Sequence, residues 1–150
     1  MELLVVVLMI GVLSAVALPQ YTLAVEKARL AEAFSLGKSI AQAQEAYKLA
    51  NGTYTVSFDD LDLDFPCTKG ATQRPNDKIT CKNYYFYFND TVHLQAARIK
   101  GGVWLDLHYP NSWRCAHTKG AEDGEKLCKA LGGRFASESA GNNALYYDIF

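Results

Sequence analysis

The pattern of hydrophobic and polar positions divides the chain into three stretches with different periods. From Leu3 to Val25 no residue is charged, and Leu3 to Leu18 reads LLVVVLMIGVLSAVAL. A run that is apolar all round has no face to offer water, so it belongs in lipid or among other apolar helices. A membrane helix takes about 20 such residues to cross roughly 30 Å of hydrocarbon. Leu3–Leu18 falls a little short, and the uncharged stretch past Pro19 makes up the difference. Gly11 weakens helix between itself and Pro19, and Pro19 is expected to kink the helix or open it locally.

Residues 21–50 change to a helical period. Glu26, Lys27, Arg29, Glu32 and Lys38 take the polar positions. Leu23, Leu30 and Gly37 recur every seven residues, as do Ala33, Ile40 and Tyr47, and Phe34 and Ala41 widen the stripe. This is an amphipathic helix whose stripe packs on a sheet. Asn51-Gly52 supplies a left-handed stop.

After the helix the pattern weakens. Residues 52–82 read as loop, with Ser57-Phe58-Asp59-Asp60-Leu61, Pro66 and a polar stretch around Gly70–Asp77. Period-two strands come next. Tyr84–Phe88 is aromatic and strand-prone, and Asn89-Asp90 is a turn dipeptide. Val92–Ile99 and Val103–Tyr109 flank Lys100-Gly101-Gly102, a hairpin signal. Val103, Leu105 and Leu107 alternate with Trp104, Asp106 and His108, so one face is buried. The expected head is a three-stranded antiparallel meander, with the tail Ala144–Phe150 as a candidate fourth strand. The fold class is therefore α+β: a long N-terminal helix whose second half packs on a small antiparallel β-sheet. The chain divides into two units, 1–25 as the apolar half of the helix and 26–150 as the head with the helix's second half.

Composition sharpens this division. The chain has 150 residues, 49% of them hydrophobic, and residues 1–25 hold 19 of the 74 hydrophobic residues with Glu2 their only charge. Fifteen basic and sixteen acidic residues leave a net charge of −1. That balance gives no sign of a nucleic-acid partner, which a strongly basic face would mark. It also argues against a disordered acidic tail.

Four cysteines, Cys67, Cys81, Cys115 and Cys128, form no C-x-x-C, so a zinc ribbon or thioredoxin motif is unsupported. They allow three connectivities. The sequence-local pairs, Cys67 with Cys81 and Cys115 with Cys128, are favoured. Each would close a loop of about 15 residues, worth about 3 kcal/mol in the chain-entropy model. The second pair brackets a region that no strand signal organises. A metal site on Cys115 with His117 is the weaker alternative.

No catalytic set is evident, and no cofactor is expected. There is no glycine-rich phosphate loop, G-x-S-x-G or H-E-x-x-H. His93 and His108 lie on adjacent expected strands and are read as exposed. Asp59, Asp60, Asp62 and Asp64 crowd one loop but lack the glycine and terminal glutamate of an EF-hand, so a solvated loop is preferred to a calcium site. Asn51-Gly52-Thr53 and Asn89-Asp90-Thr91 match the glycosylation sequon, although both asparagines are explained by turns. Tyr54, Trp104, Trp113 and the tail tyrosines are candidates for an exposed aromatic patch.

Three readings compete for the apolar N-terminus. A secretory signal would carry basic residues before the run, and here an acid stands there instead, although Ala15-Val16-Ala17 mimics a cleavage site. A simple single-span anchor leaves Glu2 without a role beyond a headgroup-level charge favoured by the helix dipole. The third reading takes Glu2 into account. MELLVVVLMIGVLSAVALPQY resembles the N-terminal helix of type IV pilins and type II secretion pseudopilins, in Glu2, the Leu-Leu-Val run, Gly11, Pro19 and Tyr21, in order and spacing. Asn51-Gly52-Thr53-Tyr54 with Ser57-Phe58 and Leu61 is similar to the segment after that helix in many pilins. Cys115-Ala116, Ala121-Glu122 and Lys126 to Gly133 resemble the disulfide-bounded loop near the pilin C-terminus.

The resemblance implies a pilin fold and a structural, non-enzymatic subunit. It implies a helical filament of identical subunits, reached from the inner membrane with the head in the periplasm, and ending as an extracellular pilus. Partners would include the assembly machinery and a prepilin peptidase. Three further mature residues, usually beginning with a methylated Phe, and a short basic leader are expected before Met1. Glu2 would pair with the N-terminal amine of a neighbouring subunit, and the Gly11–Pro19 stretch would extend or melt in the filament. Two charges among apolar helices are tolerated only as a pair, and removing one typically costs about 3–5 kcal/mol. A pseudopilin or minor pilin is the close rival, with the local disulfides leaning towards a pilin. A membrane-anchored periplasmic binding module is the rival of a different class.

Overall fold

The computed structural model describes residues 2–64, 66–69, 78–121, 123–141 and 143–149, with the side chain of Glu2 outside that description. The expected polar stretch at 70–77 also lies outside the described residues.

Helix α1 is continuous from Glu2 to Asn51, through Gly11 and Pro19. The local opening expected at Pro19 is absent. Proline removes a single amide donor, and the apolar turns on either side keep theirs. Gly52 ends the helix with φ +80°, and its amide donates to the Lys48 carbonyl at 2.8 Å. A short 3-10 turn comes next at Phe58–Asp60, where the Ser57 hydroxyl accepts from the Asp59 amide at 3.3 Å.

Among the described residues, eight antiparallel strands make one sheet: β1 Thr68–Lys69, β2 Lys78–Thr80, β3 Tyr84–Asp90, β4 His93–Arg98, β5 Val103–His108, β6 Ser112–Thr118, β7 Arg134–Ser139 and β8 Ala144–Asp148. Their spatial order is β1-β2-β3-β4-β5-β6-β8-β7, and helix α2, Gly124–Ala130, lies between β6 and β7 in the chain. The fold is thus α+β in the expected sense, but its sheet is larger than the expected meander. β1 and β2 arise inside the stretch read as loop. β6 and β7 arise where the sequence carries no strand signal. β7 shows the reason: its residues are almost all exposed, so ladder pairing with β8 holds it without any apolar alternation. Asn89 and Asp90 belong to β3 rather than to a turn. The register shifts between Phe88 and Asp90, and the chain reverses at Thr91-Val92, where the Asp90 carboxylate accepts from the Val92 amide at 2.8 Å.

The core lies between the second half of α1 and one face of the sheet. Leu30, Ala33, Gly37, Ile40 and Gln44 are the buried residues of α1, spaced three or four apart. They meet Phe86, Leu94, Leu105, Leu107, Trp113 and their neighbours on the inner face. A methyl group on Gly37 would stand 2.8 Å from the Trp113 ring, so glycine is what lets the helix approach the sheet.

Candidate functional site

Among the described residues, the first half of α1 packs on nothing in this chain. Every residue from Leu3 to Gln20 is exposed, Leu3 at 82% and Leu13 at 70%. By length and composition it is able to cross a membrane, with a mean hydropathy of 2.4 in its most apolar window. Leu4, Val7, Leu8, Gly11, Val12 and Ala15 line a shallow apolar groove along one helix face. Gly11 sits in it, and apart from its chain neighbours and the helix's own backbone nothing described lies within 4 Å of where a side chain would begin. Pro19 lies at the end of the run, and its carbonyl accepts from the Thr22 hydroxyl at 2.9 Å. A contiguous apolar surface of this size marks an interaction site or a membrane segment, because water does not tolerate it cheaply.

In the head, Cys67 is bonded to Cys81 and Cys115 to Cys128, and among the described residues no cysteine is free. The first bond joins the start of the β1–β2 hairpin to the residue after it. The second fastens α2 to β6. Cys115 is therefore no metal ligand, and His117 beside it is buried, with Nδ1 2.9 Å from the Thr118 carbonyl and its ring stacked on Tyr147. Gly124, at the start of α2, leaves the room that the His117 ring occupies.

The outer face of the sheet holds a polar cluster that the sequence pattern does not announce. Asp106 is 3% exposed, although it alternates with buried leucines. Its carboxylate accepts from Gln95 Nε2 at 2.5 Å and from Trp104 Nε1 at 3.2 Å, and lies 3.2 Å from His93 Nε2. Three neighbours thus satisfy a carboxylate that burial alone would penalise. His93 and His108 are not the exposed pair expected. Their rings stack at 4.1 Å, and His93 is mostly covered. Burial, with His93 and Arg114 beside it, holds His108 below its ordinary value of 6.5. On the same face Tyr87 is pushed up to about 12, first by burial and then by Tyr85, Asp106 and Tyr146. The signal for the cluster was a carboxylate in register with Gln95, on a strand that also pairs with His93.

The expected aromatic patch is corrected in the same way. Tyr54, Trp113 and Tyr147 are buried, because each packs into the core or its margin. Trp104 and Tyr146 do share the outer face, in an edge contact at 6.3 Å. The aspartate-rich loop is tied by protein contacts: Asp59 pairs with Lys69, and Asp60 accepts from the Thr55 hydroxyl at 2.6 Å. Among the described residues, no group of three or more acidic, histidine or cysteine side chains is placed to hold a metal ion. Gln44 also escaped the sequence pattern, a polar residue inside an apolar stripe. It is fully buried and clasps the Thr55 backbone, donating to its carbonyl at 2.7 Å and accepting from its amide at 3.1 Å.

Compared with known proteins, the chain matches no family model, no curated protein and no solved structure.

Proposed function

We propose that this chain is a pilin-like structural subunit, held first in the inner membrane by the first half of α1 and then polymerised through it into an extracellular filament. The observation that supports this reading is the half-packed helix. One continuous α1 offers its second half to the head and leaves Leu3–Gln20 bare. A single element with two differently clothed halves suits a subunit that exchanges lipid for neighbouring helices. The resemblance at Glu2, Gly11, Pro19 and Tyr21 adds the assembly roles: Glu2 paired with a neighbour's N-terminal amine, and Gly11 to Pro19 as the stretch that adjusts in the filament. Two disulfides suit the oxidising periplasm and cell surface. Membrane insertion, a processing peptidase and an assembly machinery belong to this reading. A pseudopilin or minor pilin is its variant.

Electron microscopy of sheared surface fractions tests it, comparing wild type with Glu2→Ala. Wild type is expected to yield filaments containing this chain, and Glu2→Ala to remain in the membrane fraction without them. Normal filaments from Glu2→Ala would remove the pairing role. A membrane-bound wild-type chain that never enters a filament would favour the anchored binding module.

A further inference from the structure

Where the apolar run of α1 ends, the head begins with a basic cleft. Arg29 of α1, Lys82 and Asn83 between β2 and β3, Tyr84, and Arg98, Ile99 and Lys100 at the β4–β5 turn line a space of about 280 Å³. Four of these side chains are cationic. Glu26 answers two of them, 2.6 Å from Arg29 Nη1 and 2.8 Å from Arg98 Nη2, which fixes both guanidinium groups at the cleft. Glu32 also lies in the electrostatic surroundings of Tyr84. Lys82 and Lys100 are exposed and make no ion pair among the described residues. The Tyr84 phenol, raised to about 12 by its burial, stays protonated and able to donate.

The position of this cleft gives it meaning. Arg29 lies beyond the last residue of the uncharged run, Val25, by about 6 Å of helix rise. With the first half of α1 in hydrocarbon, the cleft falls at the level of the lipid headgroups. The turn beside it exposes Ile99, an apolar residue at 46% exposure, next to Lys100. That pairing suits an interface, with the apolar group towards the acyl chains and the ammonium among phosphates. Guanidinium forks match phosphate oxygens in geometry, and two ammonium groups add point charge. The excess of cations over carboxylates selects a headgroup with net negative charge.

We propose that this cleft binds the phosphate of an anionic phospholipid while the chain is in the bilayer. The inference rests on the membrane reading of α1, and its test separates the two. The full chain is reconstituted in vesicles of phosphatidylcholine alone and in a mixture with phosphatidylglycerol. Flotation reports insertion. Native mass spectrometry after gentle extraction reports the lipids retained. Phosphatidylglycerol is expected to be enriched over its bulk share. The Lys82→Gln/Lys100→Gln double variant should lose roughly 25-fold of the preference for phosphatidylglycerol over phosphatidylcholine, since basic groups near an anionic surface each contribute about fivefold. Its flotation and its thermal melt should stay those of the wild type. Retention at the bulk ratio, or equal enrichment in the variant, overturns the lipid site. Displacement by millimolar inorganic phosphate at similar occupancy also overturns it, in favour of a site for the free ion. Failure to float even with phosphatidylcholine alone overturns the membrane reading, and this inference with it.

Discussion

The two halves of α1 are the same secondary structure in opposite circumstances. In the second half, Leu30, Ala33, Gly37 and Ile40 are buried against the sheet. In the first half, leucines and valines of similar size stand bare. The glycines draw the contrast most sharply. Gly37 is pressed against Trp113, whereas Gly11 has open space on its free side. Helix formation is thus common to both halves, and what differs is the surroundings for which each surface was composed.

This contrast can be broken by substitution, and the largest effect is expected in the core. Ile40→Ala should lower head stability by about 2–5 kcal/mol, while Leu8→Ala leaves it unchanged. Both tryptophans, Trp104 and Trp113, lie in the head, so tryptophan fluorescence in urea reports on the head alone. Equal losses from the two variants would abolish the distinction. Next, replacing Cys115 and Cys128 together by serine should cost about 3 kcal/mol by releasing the loop they close. The urea midpoint of the head should fall, with no change in the helicity of the first half of α1. Gly37→Ala is expected to cost about 1–3 kcal/mol through overpacking on Trp113. Gly11→Ala should instead favour the helix by about 1 kcal/mol, because nothing opposes the methyl group. Circular dichroism melts of the two variants in micelles should therefore move in opposite directions.

The smallest effect concerns pH and belongs to the head alone, since Leu3–Val25 carries no charge to titrate there. Burial, His93 and Arg114 hold His108 below 6.5, so the folded head resists a proton that the unfolded chain accepts. The unfolded state then binds more protons, and stability falls as pH drops from about 6.5 towards the folded value. Above that range the contribution is intact. His108→Asn should flatten this part of a stability profile measured between about pH 7.5 and 5, and an unchanged slope would remove His108 as its source.

Much of this comparison was readable from period alone. The charge-free run and the seven-residue recurrences of Leu30, Gly37, Ala33 and Ile40 marked both halves of α1, and Val103, Leu105 and Leu107 marked the buried face of β5. What escaped was set by partners distant in the chain. β7 is held by hydrogen bonds to β8 and offers no apolar alternation. Asp106 is buried because Gln95 and Trp104 donate to it and His93 stands beside it, a matter of strand register. The basic cleft joins α1 to two turns whose meeting no local pattern encodes. Glu2 itself was conspicuous as a lone acid ahead of an apolar run, but its partner, on the proposed reading, is another molecule.

The clasp between Gln44 and the backbone of Thr55 has a mechanical consequence. A pull applied along the bare half of α1 reaches the head through the seam where the helix lies on the sheet, and it loads that seam in shear. Leu30, Ala33, Gly37 and Ile40 then share the load, rather than yielding one after another. Gln44 stands nearest the far end and fastens the segment that leaves the helix. The helix therefore cannot slide lengthwise without also tearing a buried pair of hydrogen bonds, so traction on α1 is carried by the head as a whole.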